Sequence, residues 1–264
     1  MNWESNILFE DQRTSSSIEL VCSSGIGMRE SQQDAAYVYA DDRQVFAVVC
    51  DGMGGLSGGQ LASRTAIELL IEFFHKTKEQ DVPVTSRWIE LLQRVDDIVY
   101  SLKDGQGKRL GAGTTLAAIS IRNDMLYWLS VGDSHIYVSR GEEFVQVTED
   151  HIYALSLDQQ LRRGAISKEK YDSEMERGDA LISFVGMGGL LLIDANEDGL
   201  ALQPNDRIVV CSDGVYRTAN VQQLKDYFSN SKTIGEAVQS CIRTIEKERK
   251  CDQDNYTLVA VEVK

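Results

Sequence analysis

Val45-Phe46-Ala47-Val48-Val49-Cys50 is an unbroken apolar run that ends in one carboxylate, Asp51, and five of the eight residues that follow are glycine. An uninterrupted run of this length reads as a strand buried on both faces, here delivering Asp51 to a sheet edge. The glycines clear side chains from around that carboxylate, so backbone carbonyls and amides can approach a bound ion or oxyanion. A tight turn led by Asp is the competing reading, but a turn needs one or two glycines rather than five.

At 264 residues, with two prolines and no break in composition, the chain reads as a single domain over 1–264. Its 27 basic and 41 acidic residues give a net charge of −14. Such a surface repels nucleic acid and anionic membranes, so neither is an expected partner. A phosphorylated substrate would be repelled as well, unless a metal ion or a placed arginine supplies positive charge. Residues 1–17 are polar and acidic, and no later apolar run approaches a membrane span, so a cytoplasmic protein is expected. The five cysteines are scattered and form no C-x-x-C pair, which suits reduced thiols rather than a disulfide framework or zinc site.

Apolar patterning places strands at 18–22, 35–40 and 45–50, then helices from Gln60 and over 85–103. Strand patterns resume at 114–121, 125–131, 136–139 and 144–147 with short turns between them, which implies antiparallel pairing. Residues 150–198 are polar and only partly helical and read as a surface flap. Strands at 200–202 and 207–211, helices at 221–228 and 234–247, and a closing strand at 256–263 complete the pattern. Strands at both ends and in the middle, with helices in pairs between, predict an α+β fold: antiparallel sheets covered by helix layers.

Other carboxylates repeat the context of Asp51. Ile208-Val209-Val210-Cys211-Ser212-Asp213-Gly214 is again an apolar strand ending in Asp-Gly, and Asp254-Asn255 stands at the mouth of the last strand. Asp133 ends a strand in Val131-Gly132-Asp133-Ser134, and Asp34 precedes another. Each alone fits a strand-end turn. Together they form an all-oxygen set of the kind that Mg²⁺ or Mn²⁺ selects over zinc. Clustered without a cation, they would raise one another's pKa.

Asp51-Gly52-Met53-Gly54-Gly55 with Gly59, Ala62 and Ser63, then Gly113-Thr114-Thr115-Leu116, Gly132-Asp133-Ser134, Ser212-Asp213-Gly214 and Asp254-Asn255 resemble, in order and spacing, the metal-dependent serine/threonine protein phosphatases of type 2C, the PPM family, in its bacterial form. The resemblance runs from about Gly25 to Val263. It implies a four-layer α/β/β/α sandwich and a pair of Mn²⁺ or Mg²⁺ ions at one end. By motif position Asp51 would bridge both ions, Gly52 would lend its carbonyl to the second, and Asp213 and Asp254 would complete the first. Asp34 would act through an intervening water and Arg29 would bind phosphate, where a guanidinium suits two phosphate oxygens. The implied reaction is attack of an ion-activated water on phosphoserine or phosphothreonine in proteins, without a phosphoenzyme. The implied partners are substrates of a serine/threonine kinase; with no coiled coil or long amphipathic tail in the sequence, a monomer is expected.

Departures accompany the resemblance. Met53 stands where many eukaryotic relatives carry a histidine, so no histidine acid acts from that place. Asp133 is a candidate ligand of a third ion, yet Arg217 stands where the family often has an aspartate that helps hold it, and a cation there opposes that ion. The flap matches weakly: Ser183-Phe184-Val185-Gly186 replaces the usual arginine ahead of a Leu-Gly pair. Two rivals remain open. Cys211-x5-Arg217-Thr218 satisfies the pattern of cysteine-dependent phosphatases, whose thiolate attacks phosphorus, and a catalytically silent relative could bind phosphoproteins without turnover. Of the three histidines, His75 is expected at a helix end, His135 at a strand start and His151 near the flap.

Overall fold

The apolar run forms the strand Gln44–Cys50, buried along its whole length. The pleat explains why it needs no polar face. Phe46, Val48 and Cys50 pack against the helices Gly58–Thr77 and Val84–Tyr100, while Val45, Ala47 and Val49 point the other way, into a second sheet. The computed structural model describes residues 7–10, 18–55, 57–78, 84–248 and 251–264. Apart from 7–10, the polar stretch 1–17 lies outside the described residues.

A seven-stranded sheet runs in the order Ile7–Glu10, Ala35–Ala40, Gln44–Cys50, Leu116–Arg122, Met125–Val131 and Asp194–Ala195, with Leu200–Ala201 also pairing Met125–Val131. A five-stranded sheet runs Glu143–Gln146, His135–Arg140, Arg207–Cys211, Tyr256–Val263 and Ile18–Gly25. Their facing sides interlock Val38, Ala47 and Ile119 with Ile136, Val210 and Val259. On the far side of the second sheet, Tyr137, Val209 and Leu258 meet Leu224 and Phe228 of the helix Val221–Asn230 and Ala237, Cys241 and Ile245 of Ile234–Lys247. The result is the expected α/β/β/α sandwich of two sheets between helix layers.

The differences from the sequence pattern are local. Ile7–Glu10 adds a parallel edge beside Ala35–Ala40, whereas the other strand pairings among the described residues are antiparallel. Gly113–Thr114 separates from the Leu116–Arg122 strand and pairs with Gly52–Met53. Two-residue strands carry no periodicity, so patterning cannot find them. The flap region holds the helices Tyr153–Arg162 and Lys168–Glu174, and its last part returns to the sheet edge at Asp194–Ala195. The Asn123-Asp124 turn is a two-residue hairpin with both φ values positive, as such turns require.

Register then gathers the carboxylates at one end of the sandwich. Ala35 pairs with Cys50, which sets Asp34 beside Asp51. Cys211 lies between Leu258 and His135, which brings Asp213 toward the mouth of the last strand and toward Asp133.

Candidate active site

Asp51, Asp133, Asp213 and Asp254 line one cleft together with Gly52, Met53, Gln33, Arg29 and Arg217, and its far wall carries Asp179, Leu181 and Phe184 from the flap. Asp34 lies enclosed against this group, 1% exposed, with its Oδ2 accepting a 2.7 Å hydrogen bond from Ser212. That bond ties the two sheets together at the site. Ser212 is itself fixed, because its Oγ accepts the Thr257 N–H at 2.9 Å.

The position of Asp51 is set through its backbone. Its N–H donates to Thr115 Oγ1 at 3.0 Å, and its carbonyl accepts from the Thr115 N–H at 2.8 Å and Thr114 Oγ1 at 2.9 Å. Behind it, Gly52 and Gly59 touch so closely that a Cβ on Gly52 would lie 2.2 Å from the Gly59 carbonyl oxygen. Gly214 is as constrained: a Cβ there would meet the Asn255 carbonyl oxygen at 1.9 Å. The two Asp-Gly dipeptides are therefore required by packing as well as by any ion.

Asn255, 3% exposed, organises the loop that carries Arg29. Its Nδ2 donates to the carbonyls of Ile26 at 2.8 Å and Ser31 at 3.1 Å, and its Oδ1 accepts the Gln33 N–H at 2.8 Å. Arg29 thereby reaches Asp254, with Nη2 2.6 Å from Oδ2. On the opposite flank Arg217 places Nε 3.0 Å from Asp213 Oδ2 and Nη2 3.4 Å from Asp133 Oδ2.

The electrostatics are those of a site short of positive charge. Burial, reinforced by Asp213 and Asp254, raises Asp34 to about 7 against the lowering effect of its hydrogen bonds to Ser212 and Thr257. Burial and the neighbouring aspartates raise Asp51 well above the carboxylate range. Burial with Asp213 nearby brings Asp133 to about 6, although Arg217 opposes this. Asp213 is raised by burial too, with Arg217 pulling it down. Asp34 Oδ1 and Asp213 Oδ1 are buried without hydrogen-bond partners. An all-oxygen set with orphaned buried oxygens and raised pKa values fits hard divalent cations. Among the described residues, no three of these side chains are drawn in closely enough to cage an ion as they stand. Asp254 is turned toward Arg29 and Asp213 toward Arg217.

The flap is tied to Asp51 by a route that the sequence did not mark. Asp96, 1% exposed on the Val84–Tyr100 helix, accepts the N–H groups of Gly186 (2.6 Å), Met187 (3.0 Å), Gly188 (3.4 Å) and Gly189 (2.6 Å). Next to that loop, Val185 exchanges two 2.9 Å backbone hydrogen bonds with Thr114, which holds the Asp51 carbonyl. At the other limb, His151 accepts the Gly132 N–H through Nδ1 at 3.1 Å, and Ile152 bridges Leu181. His75 is exposed at its helix end, and His135 is buried at its strand start, stacked on Tyr216. Asp96 is not marked in the sequence, and Ser212, Asn255 and Thr115 stand in motifs whose spacing does not show what they hold, because each works through contacts with distant segments.

Cys211 does not face the cleft. It packs in the helix-facing core of the second sheet, where burial holds its thiol well above the ordinary value, and Arg217 is engaged by carboxylates. A thiolate nucleophile has no support at that position.

Two sheets between helix layers, with an acidic cleft at one end, define a fold also found among known proteins. Residues 23–254 match the family model for protein phosphatase 2C. The chain belongs to that family and is a protein phosphatase of that type. It is 28% identical over 241 residues to the serine/threonine phosphatase stp of Listeria innocua, which covers 89% of this chain and 91% of the relative. The serine/threonine phosphatase Stp1 of Staphylococcus aureus superposes with a TM-score of 0.77 at 20% identity, covering 97% of this chain and 98% of that one. The catalytic domain of the serine/threonine protein phosphatase PstP, crystallised with two manganese ions, gives 0.70 at 22% identity, covering 94% and 98%. At these identities the structural likenesses speak for the fold.

Proposed function

We propose that this chain hydrolyses phosphoserine and phosphothreonine in proteins by attack of water on phosphorus in a cleft that holds two divalent ions. The reading is carried by one observation: carboxylates far apart in sequence, Asp34, Asp51, Asp133, Asp213 and Asp254, meet at one end of the sandwich with too little positive charge between them. Asp51 and the Gly52 carbonyl, with Asp213 and Asp254, are the groups that would hold two ions, Mn²⁺ or Mg²⁺. When bound, such ions lower the pKa of water and neutralise charge on the phosphoryl group.

The protein's own groups do the rest. Asp34, held by Ser212 and kept out of bulk solvent, is placed to orient a water by hydrogen bonding. Arg29 is 55% exposed at the cleft wall, so an arriving phosphate can take the guanidinium from Asp254 and offer it two oxygens. No histidine is among the described lining residues, so an imidazole acid has no place in this reading and water is the group assigned to protonate the leaving alkoxide. Leu181 and Phe184 present apolar surface to the residues that flank the phosphorylated one.

An acidic surface makes nucleic acid and anionic membranes poor partners, and no helix among the described residues is long and apolar enough to cross a membrane. Phosphoproteins made by a serine/threonine kinase, a monomeric state and a cytoplasmic setting complete the reading. The test is hydrolysis of a phosphothreonine peptide: activity with added Mn²⁺, its loss to a chelator and its return on adding Mn²⁺ back are expected. Activity that survives chelation but not thiol alkylation would favour the cysteine mechanism. No turnover at any Mn²⁺ concentration would favour a silent phosphoprotein-binding relative.

A further inference from the structure

We propose that Arg217 is a tethered cation filling the place between Asp133 and Asp213 where a further ion could otherwise bind, so that this chain takes two divalent ions and not three. The inference rests on reading the cleft as an ion site. It turns on one side chain and the two carboxylates that it joins.

Asp133 lies between the strands Met125–Val131 and His135–Arg140, and Asp213 opens the short helix Asp213–Tyr216 that follows the strand Arg207–Cys211. Both line the same cleft. A buried and a half-buried carboxylate, Asp133 and Asp213, facing one point call for a positive charge, which a divalent ion or a guanidinium can supply. Here the guanidinium does so: Nε lies 3.0 Å from Asp213 Oδ2 and Nη2 3.4 Å from Asp133 Oδ2. The approach is built in, because residue 217 follows residue 213 by one helical turn and so shares its face. Asp133 is held on its own account, its carbonyl accepting a 2.9 Å hydrogen bond from Tyr216 Oη. A third nitrogen, Nη1, lies 3.7 Å from Asp179 Oδ2 on the flap, but Asp179 is 82% exposed and that contact contributes little.

An ion entering between Asp133 and Asp213 would have to displace a group already matched to both. Asp51 and Asp254 are not joined by this side chain, and Asp213, which is joined through Oδ2, keeps Oδ1 without a hydrogen-bond partner for the two ions of the proposed site. Arg217 thus does by covalent attachment what a loosely held ion would do by mass action. The positive charge that Arg217 supplies is present at any metal concentration.

Manganese binding counted by electron paramagnetic resonance of free Mn²⁺ tests this. The wild-type chain is expected to bind two Mn²⁺, Arg217→Lys two, and Arg217→Asp three, with folding of each checked by circular dichroism. Asp133→Asn in the otherwise unchanged chain is expected to keep two, which covers the case in which Arg217→Asp fails to fold. Three ions on the wild type, only two on a folded Arg217→Asp, or a fall from two to one in Asp133→Asn would overturn the inference while leaving an ion site in place. A wild-type chain that binds none would overturn the proposed function together with it.

Discussion

The two sheets end in nearly the same local sequence, Cys50-Asp51-Gly52 in the first and Cys211-Ser212-Asp213-Gly214 in the second, yet their aspartates are balanced differently. Asp51 makes no ion pair among the described residues and is surrounded by other carboxylates, whereas Asp213 has Arg217 at 3.0 Å. On the proposed reading, one aspartate is left to an external cation. The other is partly served by the chain itself. Local sequence places a carboxylate at a sheet edge; the residue one turn later decides what charge it meets.

The largest effects should separate the two ends by activity. Replacing an outer partner of a metal ligand typically costs 10- to 100-fold, so removing a ligand should exceed about 100-fold. Asp51→Asn and Asp213→Asn are both expected to lose phosphopeptide hydrolysis by more than that and to weaken Mn²⁺ binding, with circular dichroism unchanged. Near-normal turnover in either would remove that aspartate from the site. Ser212→Ala should follow, with a loss of about 10- to 100-fold, because Asp34 then keeps Thr257 but lacks the hydroxyl that reaches it from the second sheet.

Stability sharpens the comparison next. Gly214→Ala should lower stability by about 1–3 kcal/mol or more in urea unfolding, since its Cβ would sit 1.9 Å from a backbone oxygen that cannot swing aside. Gly52→Ala meets the Gly59 carbonyl at 2.2 Å and should behave alike, so packing would be equivalent where charge is not.

The smallest effect is one of pH. In chelator-treated protein the folded-state pKa of Asp51 is raised above its ordinary 3.8 by burial and by Asp34 and its other neighbours. The stability linked to it is fully present below that value and is lost as pH rises through the folded pKa. At pH 8 without metal, Asp51→Asn should therefore raise the melting temperature. Asp213→Asn should raise it less, because Arg217 then loses a partner. Equal shifts would mean that the two ends do not differ in the way described.

The four-layer architecture was legible because its signals are repetitive. The runs 45–50 and 208–211 within Gln44–Cys50 and Arg207–Cys211 are apolar since each strand is covered on both faces, and the Ile234–Lys247 helix shows its buried stripe of Ile234, Ala237, Val238, Cys241 and Ile245 in sequence. The aspartates were legible because strand ends are marked by glycine. What holds them was not. Asn255 binding the backbone of residues 26–33, Ser212 crossing between sheets and Asp96 gathering four amides are contacts between distant segments, and nothing in local spacing announces them. Arg217 was visible as an oddity against the family pattern, but its reach to both Asp133 and Asp213 needed three dimensions.

The flap leaves and re-enters the sandwich through a narrow neck, where Ile152 bridges Leu181, the Tyr153 N–H reaches the Ala180 carbonyl, and Asp96 clamps the loop beyond. None of residues 154–178, outboard of that neck, lines the cleft, which Asp179 beside the neck does reach. Residues 154–178 are in that sense a cartridge: they can be exchanged, lengthened or rewritten while the chemistry beneath stays in register. Recognition of different phosphoproteins can then diverge without the hydrolytic machinery being rebuilt.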